Sequence, residues 1–125
     1  MAELAKAQYA GDVAAGRAEF REGTIEALPF EAASFDKVCT VNTIYFWRSL
    51  EVGFAEIHRV LTPGGRAVIG FLPKSHMDRM GMPRDIFTAR ATEDVVAALE
   101  NEGFVNLRVE RPQPKTPWNV VVARC

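Results

Sequence analysis

The chain has 125 residues, 48% of them hydrophobic, and a formal net charge of −1. That is the length of one domain, with enough apolar residues for a packed core and too many for a disordered chain. The near-neutral charge leaves no basic footprint for nucleic acid or an anionic membrane, and no apolar run is long enough to span a bilayer.

The first residues, Met1-Ala2-Glu3-Leu4-Ala5-Lys6, lack a basic segment followed by an apolar one. No signal peptide is read, and a cytoplasmic setting is expected. Ala2 to Ala15 is rich in good helix formers, with Gly11 weakening its centre and Gly16 placed to close it. Its face is mostly alanine, so the helix is expected to be marginal unless docked. Ala18-Glu19-Phe20-Arg21 alternates like a short strand and ends at Glu22-Gly23. Thr24 to Phe30 is a connection, because Pro29 bars helix at Leu28 and cannot donate to a sheet ladder.

Asp36 to Asn42 reads as a strand buried on both faces, and Cys39 within it as a small buried hydrophobe. Cys125 is the second of two cysteines, and the pair does not make a disulfide framework. Tyr45-Phe46-Trp47 beyond the strand is either a pocket wall or packing for the next helix. Ser49 is a good N-cap, and Leu50, Phe54, Ile57 and Leu61 follow at helical spacing. Glu51, Glu56 and Arg59 take the outer face. His58 has no carboxylate or second His at ligand spacing, so no metal site is expected. Pro63-Gly64-Gly65 turns the chain into a second strand, Ala67 to Leu72. Strand, helix, strand makes a parallel pair with a crossover, and ligands are expected at the carboxyl ends, Asn42–Trp47 and Gly70–Lys74.

Lys74 to Pro83 carries Met77, Met80 and Met82, and is either a lid over a ligand or a short helix covering the core. Ile86–Thr88 reads as a brief extended piece. Thr92 caps a helix whose inner face is Val95, Val96, Ala98 and Leu99, closed by Gly103. Phe104–Arg111 and Trp118–Ala123 are strands joined by a loop with Pro112, Pro114 and Pro117, and should pair antiparallel.

Leu28-Pro29-Phe30, Ser34-Phe35-Asp36, Glu56-Ile57-His58-Arg59-Val60-Leu61-Thr62-Pro63-Gly64-Gly65 and Glu102-Gly103-Phe104 stand in the order found in class I S-adenosylmethionine-dependent methyltransferases. The chain, from about Ala10 onward, resembles that family, and within it the bacterial small-molecule group that includes the ubiquinone and menaquinone C-methyltransferases. The resemblance implies one truncated domain over residues 1–125. Its fold would be a three-layer α/β, Rossmann-like sheet, mostly parallel, with an antiparallel last strand. It implies S-adenosylmethionine as cofactor, with Thr24, Glu26 and Leu28 at the adenine side and Asn42 and Thr43 toward the methionine part. Asn42, Tyr45 and His76 are the candidates for catalysis.

The family's Gly-x-Gly-x-Gly turn and second-strand carboxylate have no counterpart in the sequence. Gly23-Thr24 stands where the family often has Gly-Asp. Independent cofactor binding is therefore not expected, and the chain reads as the C-terminal portion of a methyltransferase fold. Two alternatives stay open. One is an active small-molecule methyltransferase whose site is rebuilt by oligomerisation or a complementing chain. The other is a non-enzymatic oligomeric binding module. Without the missing strands, Lys37–Asn42 becomes an apolar edge. Either Glu19–Gly23 moves beside it, or a homodimer forms through that edge or by exchange of the N-terminal helix.

Overall fold

The computed structural model describes residues 2–83, 85–112 and 117–125. Helices α1 (Ala2–Gln8) and α2 (Ala10–Ala14) precede strand β1 (Phe35–Val41). Helix α3 (Leu50–Val60) leads directly into β2 (Leu61–Phe71). Helices α4 (Lys74–Met80) and α5 (Thr92–Asn101) follow, then β3 (Val105–Glu110) and β4 (Asn119–Arg124). The sheet order is β1-β2-β4-β3, with β1–β2 parallel and the other two pairings antiparallel. The α/β crossover and the antiparallel ending are those expected from the sequence. Much of the loop from Pro112 to Pro117 lies outside the described residues.

The crossover forms because α3 has a strong local start and a wide apolar stripe. Ser49 Oγ accepts from the Val52 N–H at 3.2 Å, which satisfies one of the helix's orphan donors. Phe54, Ile57 and Val60 are fully buried on its inner face. Phe54 and Ile57 join Ala67, Ile69 and Phe71 of β2, Val121 and Ala123 of β4, and Val95, Ala98 and Leu99 of α5 in one core. The Trp47 ring lies flat over Gly53, where any Cβ would come within 2.5 Å of it. The Pro-Gly-Gly turn lies inside β2 as a register shift, with Phe35 opposite Leu61 and Lys37 opposite Arg66. Gly64 there has φ +80, and a Cβ on Gly65 would lie 2.8 Å from the Thr62 carbonyl oxygen. Neither position admits a side chain without strain.

Several expectations fail for one reason. Ala18–Arg21 forms no strand, and the described residues before β1 contain only an isolated bridge, Thr24 to Ala27. An extended segment becomes a strand only when a neighbour takes up its backbone groups, and none is beside it. Nor does Glu19–Gly23 move against Lys37–Asn42; β1 pairs with β2 alone among the described strands. That leaves β1 at an edge, where it is largely exposed instead of buried on both faces. Cys39 is exposed with it. The N-terminal helix breaks into two at Tyr9. Ile86–Thr88 is not a strand. Thr92 is not the cap of α5 either; Ala91 takes that place, and the Thr92 hydroxyl accepts from Asn119 Nδ2 at 2.7 Å.

Phe54→Ala should cost about 3–5 kcal/mol in urea denaturation, the usual toll of a large core cavity. Phe46→Ala, at an exposed ring (58% accessible), should change stability by no more than about 0.5 kcal/mol.

Candidate functional site

The carboxyl ends of β1 and β2 are tied together by one hydroxyl. β1 ends at Val41, and Asn42 takes a left-handed conformation, φ 59, which Asn tolerates better than most residues. Its N–H still bonds the Gly70 carbonyl at 3.0 Å. A single 3-10 turn, Ile44–Phe46, then folds back under the strand ends. Tyr45 is buried in that turn. Its hydroxyl donates to Asn42 Oδ1 at 3.1 Å and accepts from the Leu72 N–H. Burial pushes the Tyr45 phenol above its ordinary range, with the Leu72 bond pulling the other way. Thr43 and Thr40 share a hydrogen bond between their hydroxyls beside it.

Arg90 holds the turn from the other side. Its Nη2 donates to the Trp47 carbonyl at 2.6 Å and its Nε to the Ile44 carbonyl at 3.4 Å. Desolvation lowers the Arg90 pKa from the ordinary arginine value. The Tyr45 carbonyl accepts from Thr88 N–H at 2.8 Å, which brings Phe87 against the aromatic turn. Phe46 and Phe87 rings stand 5.1 Å apart.

Between these elements lies a cavity of about 300 Å³. It is lined by Asn42, Tyr45, Leu72, Phe46, Phe87 and the three methionines Met77, Met80 and Met82. Among the described residues lining it, none is charged. The methionine segment forms the short helix α4, one of the two readings of its sequence. Met77 belongs to the core, whereas Met80 is more than half exposed at the cavity mouth. Tyr45 and Trp47 are buried and Phe46 is exposed, so the aromatic run divides between packing and pocket wall.

The model for the methyltransferase domain matches residues 1–69, more than half of the chain. The chain belongs to the methyltransferase domain family. An uncharacterized methyltransferase of Bacillus subtilis, YdaC, is 40% identical over 53 residues, 42% of this chain and 29% of its own length. The ubiquinone/menaquinone biosynthesis C-methyltransferase UbiE of Methylobacterium nodulans is 43% identical over 77 residues, 62% of this chain and 30% of its own. The matched stretches thus span under a third of these curated relatives. The fold overlays that of a Thermotoga maritima S-adenosylmethionine-dependent methyltransferase, described as a possible histamine N-methyltransferase. The TM-score is 0.72 at 21% identity, over 91% of this chain and 68% of that one.

Against that family, the residues expected to face the cofactor are spread over the domain. Thr24 lines a separate cavity with Ala2, Ala5 and Phe20, on the side of α1. Glu26 is exposed. Leu28 packs on α3, its N–H bonded to Glu56 Oε2 at 2.7 Å and its carbonyl to Arg59 Nη2 at 3.2 Å. Glu56 and Arg59 form a close pair, Oε1 to Nε 2.7 Å, which holds the Glu56 carboxyl below its usual range. Only Asn42 and Tyr45 meet in one cavity; Thr43 lies beside it, and half-buried His76 of α4 is not in its lining. Thr24 and Asn42 thus open onto different cavities. Among the described residues, the candidates expected around S-adenosylmethionine do not line a single cavity. Phe87 and Arg90 were not singled out from sequence; a lone Phe or Arg in a loop carries no periodic signal.

Tyr45→Phe leaves the Leu72 N–H without its acceptor and should cost about 1–3 kcal/mol in urea denaturation at pH 7. The folded phenol titrates above 10.0, so its contribution is complete at neutral pH and is lost as pH rises through the raised value. The parent should therefore lose stability more steeply than Tyr45→Phe at alkaline pH.

Proposed function

We propose that the chain is the acceptor-side portion of an S-adenosylmethionine-dependent methyltransferase, holding a neutral, apolar small molecule at the ends of β1 and β2. The observation that carries this reading is the cavity lining: three methionines, two phenylalanines and a leucine around one tyrosine and one asparagine. Such a pocket excludes water and orients a ligand through few polar groups. With Asn42 Oδ1 engaged by Tyr45, the Asn42 amide nitrogen is free to donate to a ligand oxygen. The flexible methionines adapt to the ligand's outline. The family membership and the curated methyltransferase relatives support the reaction class.

The cofactor, when bound in such a fold, supplies the activated methyl group. This chain's residues contribute acceptor binding and orientation, the positioning part of catalysis. Cofactor binding in the usual way requires a glycine-rich turn and an acidic strand end beyond the elements described here, from further along the same polypeptide or from a second one.

Titration calorimetry of the chain with S-adenosylmethionine and S-adenosylhomocysteine should give no saturable heat up to roughly millimolar ligand. A micromolar dissociation constant would overturn the division of labour. The neutral fluorophore N-phenyl-1-naphthylamine should bind the chain, and Met80→Lys should weaken it about tenfold, close to 1.4 kcal/mol. Binding that ignores Met80→Lys would place the apolar site elsewhere.

A further inference from the structure

The three methionines of the cavity differ in how far solvent reaches them. Met77 is 2% exposed and belongs to the core. Met82 is half-buried and packs against that core. Met80 is 53% exposed while still lining the cavity. It is the last residue of α4, and Gly81 closes the helix in a left-handed turn, φ 68. No atom lies within 4 Å of where a Cβ on Gly81 would stand, so the space beside the helix end is open. The Met80 thioether is therefore both part of an apolar wall and open to small solutes. That access rests on the acceptor reading above. An opening that admits an organic acceptor also admits a hydroperoxide, which is smaller, whatever further chain surrounds the mouth.

We propose that Met80 is a reversible oxidation site that controls acceptor binding, its oxidant a small hydroperoxide. A lone pair of the Met80 sulfur attacks the terminal peroxide oxygen. The S–O bond forms as the O–O bond breaks, and the departing oxygen takes the peroxide proton and leaves as water or an alcohol. Sulfur loses two electrons and the peroxide gains them. A dithiol-dependent sulfoxide reductase reverses the change, yielding the thioether, a disulfide and water. Oxidation turns a flexible apolar side chain into a polar one. Burying the new oxygen without a hydrogen-bond partner is costly. The Tyr45 hydroxyl is already committed to Asn42, and no charged donor is among the described lining residues. Turned outward, the sulfoxide stays hydrated and the cavity loses its outer methionine. Turned inward, it competes with the ligand for the Asn42 amide. Either orientation weakens the hold on a neutral, apolar ligand. Met77 and Met82 are sheltered by the core, so Met80 reacts first and the fold is kept.

Graded hydrogen peroxide followed by dithiothreitol tests this, because dithiothreitol returns reversibly oxidised Cys39 and Cys125 to thiols and leaves methionine sulfoxide in place. Among the cavity methionines, peptide mass spectrometry should find one oxygen added at Met80 before Met82 or Met77. At that stage the dissociation constant for N-phenyl-1-naphthylamine should rise at least about fivefold, with the thermal melt unchanged. Methionine sulfoxide reductases of both stereospecificities should restore it. Met80→Leu, compared with its own untreated sample, should show no change in affinity on the same treatment. Oxidation of Met82 or Met77 ahead of Met80 overturns the inference. So does Met80 sulfoxide with unaltered binding, which leaves the acceptor reading standing. An untreated parent that fails to bind the fluorophore removes the acceptor reading itself, and this control of binding with it.

Discussion

A strand is stable only while its backbone polar groups have partners, and this constraint shapes the whole domain. β2 satisfies it on both sides, with β1 parallel and β4 antiparallel. It also carries fully buried residues, Ala67, Ile69 and Phe71, as β4 does in Val121 and Ala123. β4 has β2 on one side and β3 on the other. β1 has one partner and keeps its strand form. Ala18–Arg21 has none and loses it, despite an alternating sequence. The same segment beside an apolar parallel neighbour would meet every local requirement of a strand. Its conformation is decided by what lies next to it.

The ligand end follows from the core end. α3 and α5 press their apolar stripes onto one face of the sheet, and the polar groups at the strand ends must then be satisfied locally. Tyr45 does this for Asn42 and Leu72, Arg90 for Ile44 and Trp47, and Thr88 for Tyr45. Each of these partners is committed to the scaffold. What remains to line the cavity is apolar. The character of the pocket is thus a consequence of how the strand ends are closed, and a charged ligand would find no counter-charge in its described lining.

Legibility in the sequence tracked how local each cause is. Helix α3 was readable because Ser49 and the Leu50–Phe54–Ile57 spacing act within a few turns. The β3–β4 pairing was readable because a loop without a helix leaves little topological choice. Cys39 was misplaced because a strand's burial depends on its neighbours, and the sequence of β1 is the same at an edge or at a centre. Thr92 was misassigned because by type it caps far better than Ala91, while its hydroxyl is taken up by Asn119, distant in the chain. The pocket was half visible. Tyr45 and the methionines stood out by type, whereas Phe87 and Arg90 acquire their roles only from contacts made across the fold.

The two halves of a methyltransferase site therefore place different demands on the chain. The cavity proposed for the acceptor is built from the end of β1, the 3-10 turn, the end of β2, α4 and Phe87, all within Asn42 to Phe87. That span closes on itself through its own hydrogen bonds. A cofactor site of the family type needs backbone from strands on the far side of β1, where this fold presents an open edge. Thr24 and Asn42, which the family resemblance would set on one ligand, lie here on separate cavities. Acceptor recognition is thus a property of local chain, and cofactor recognition a property of sheet continuity. On the proposed reading, a domain with this span supplies the first, and added strands would supply the second.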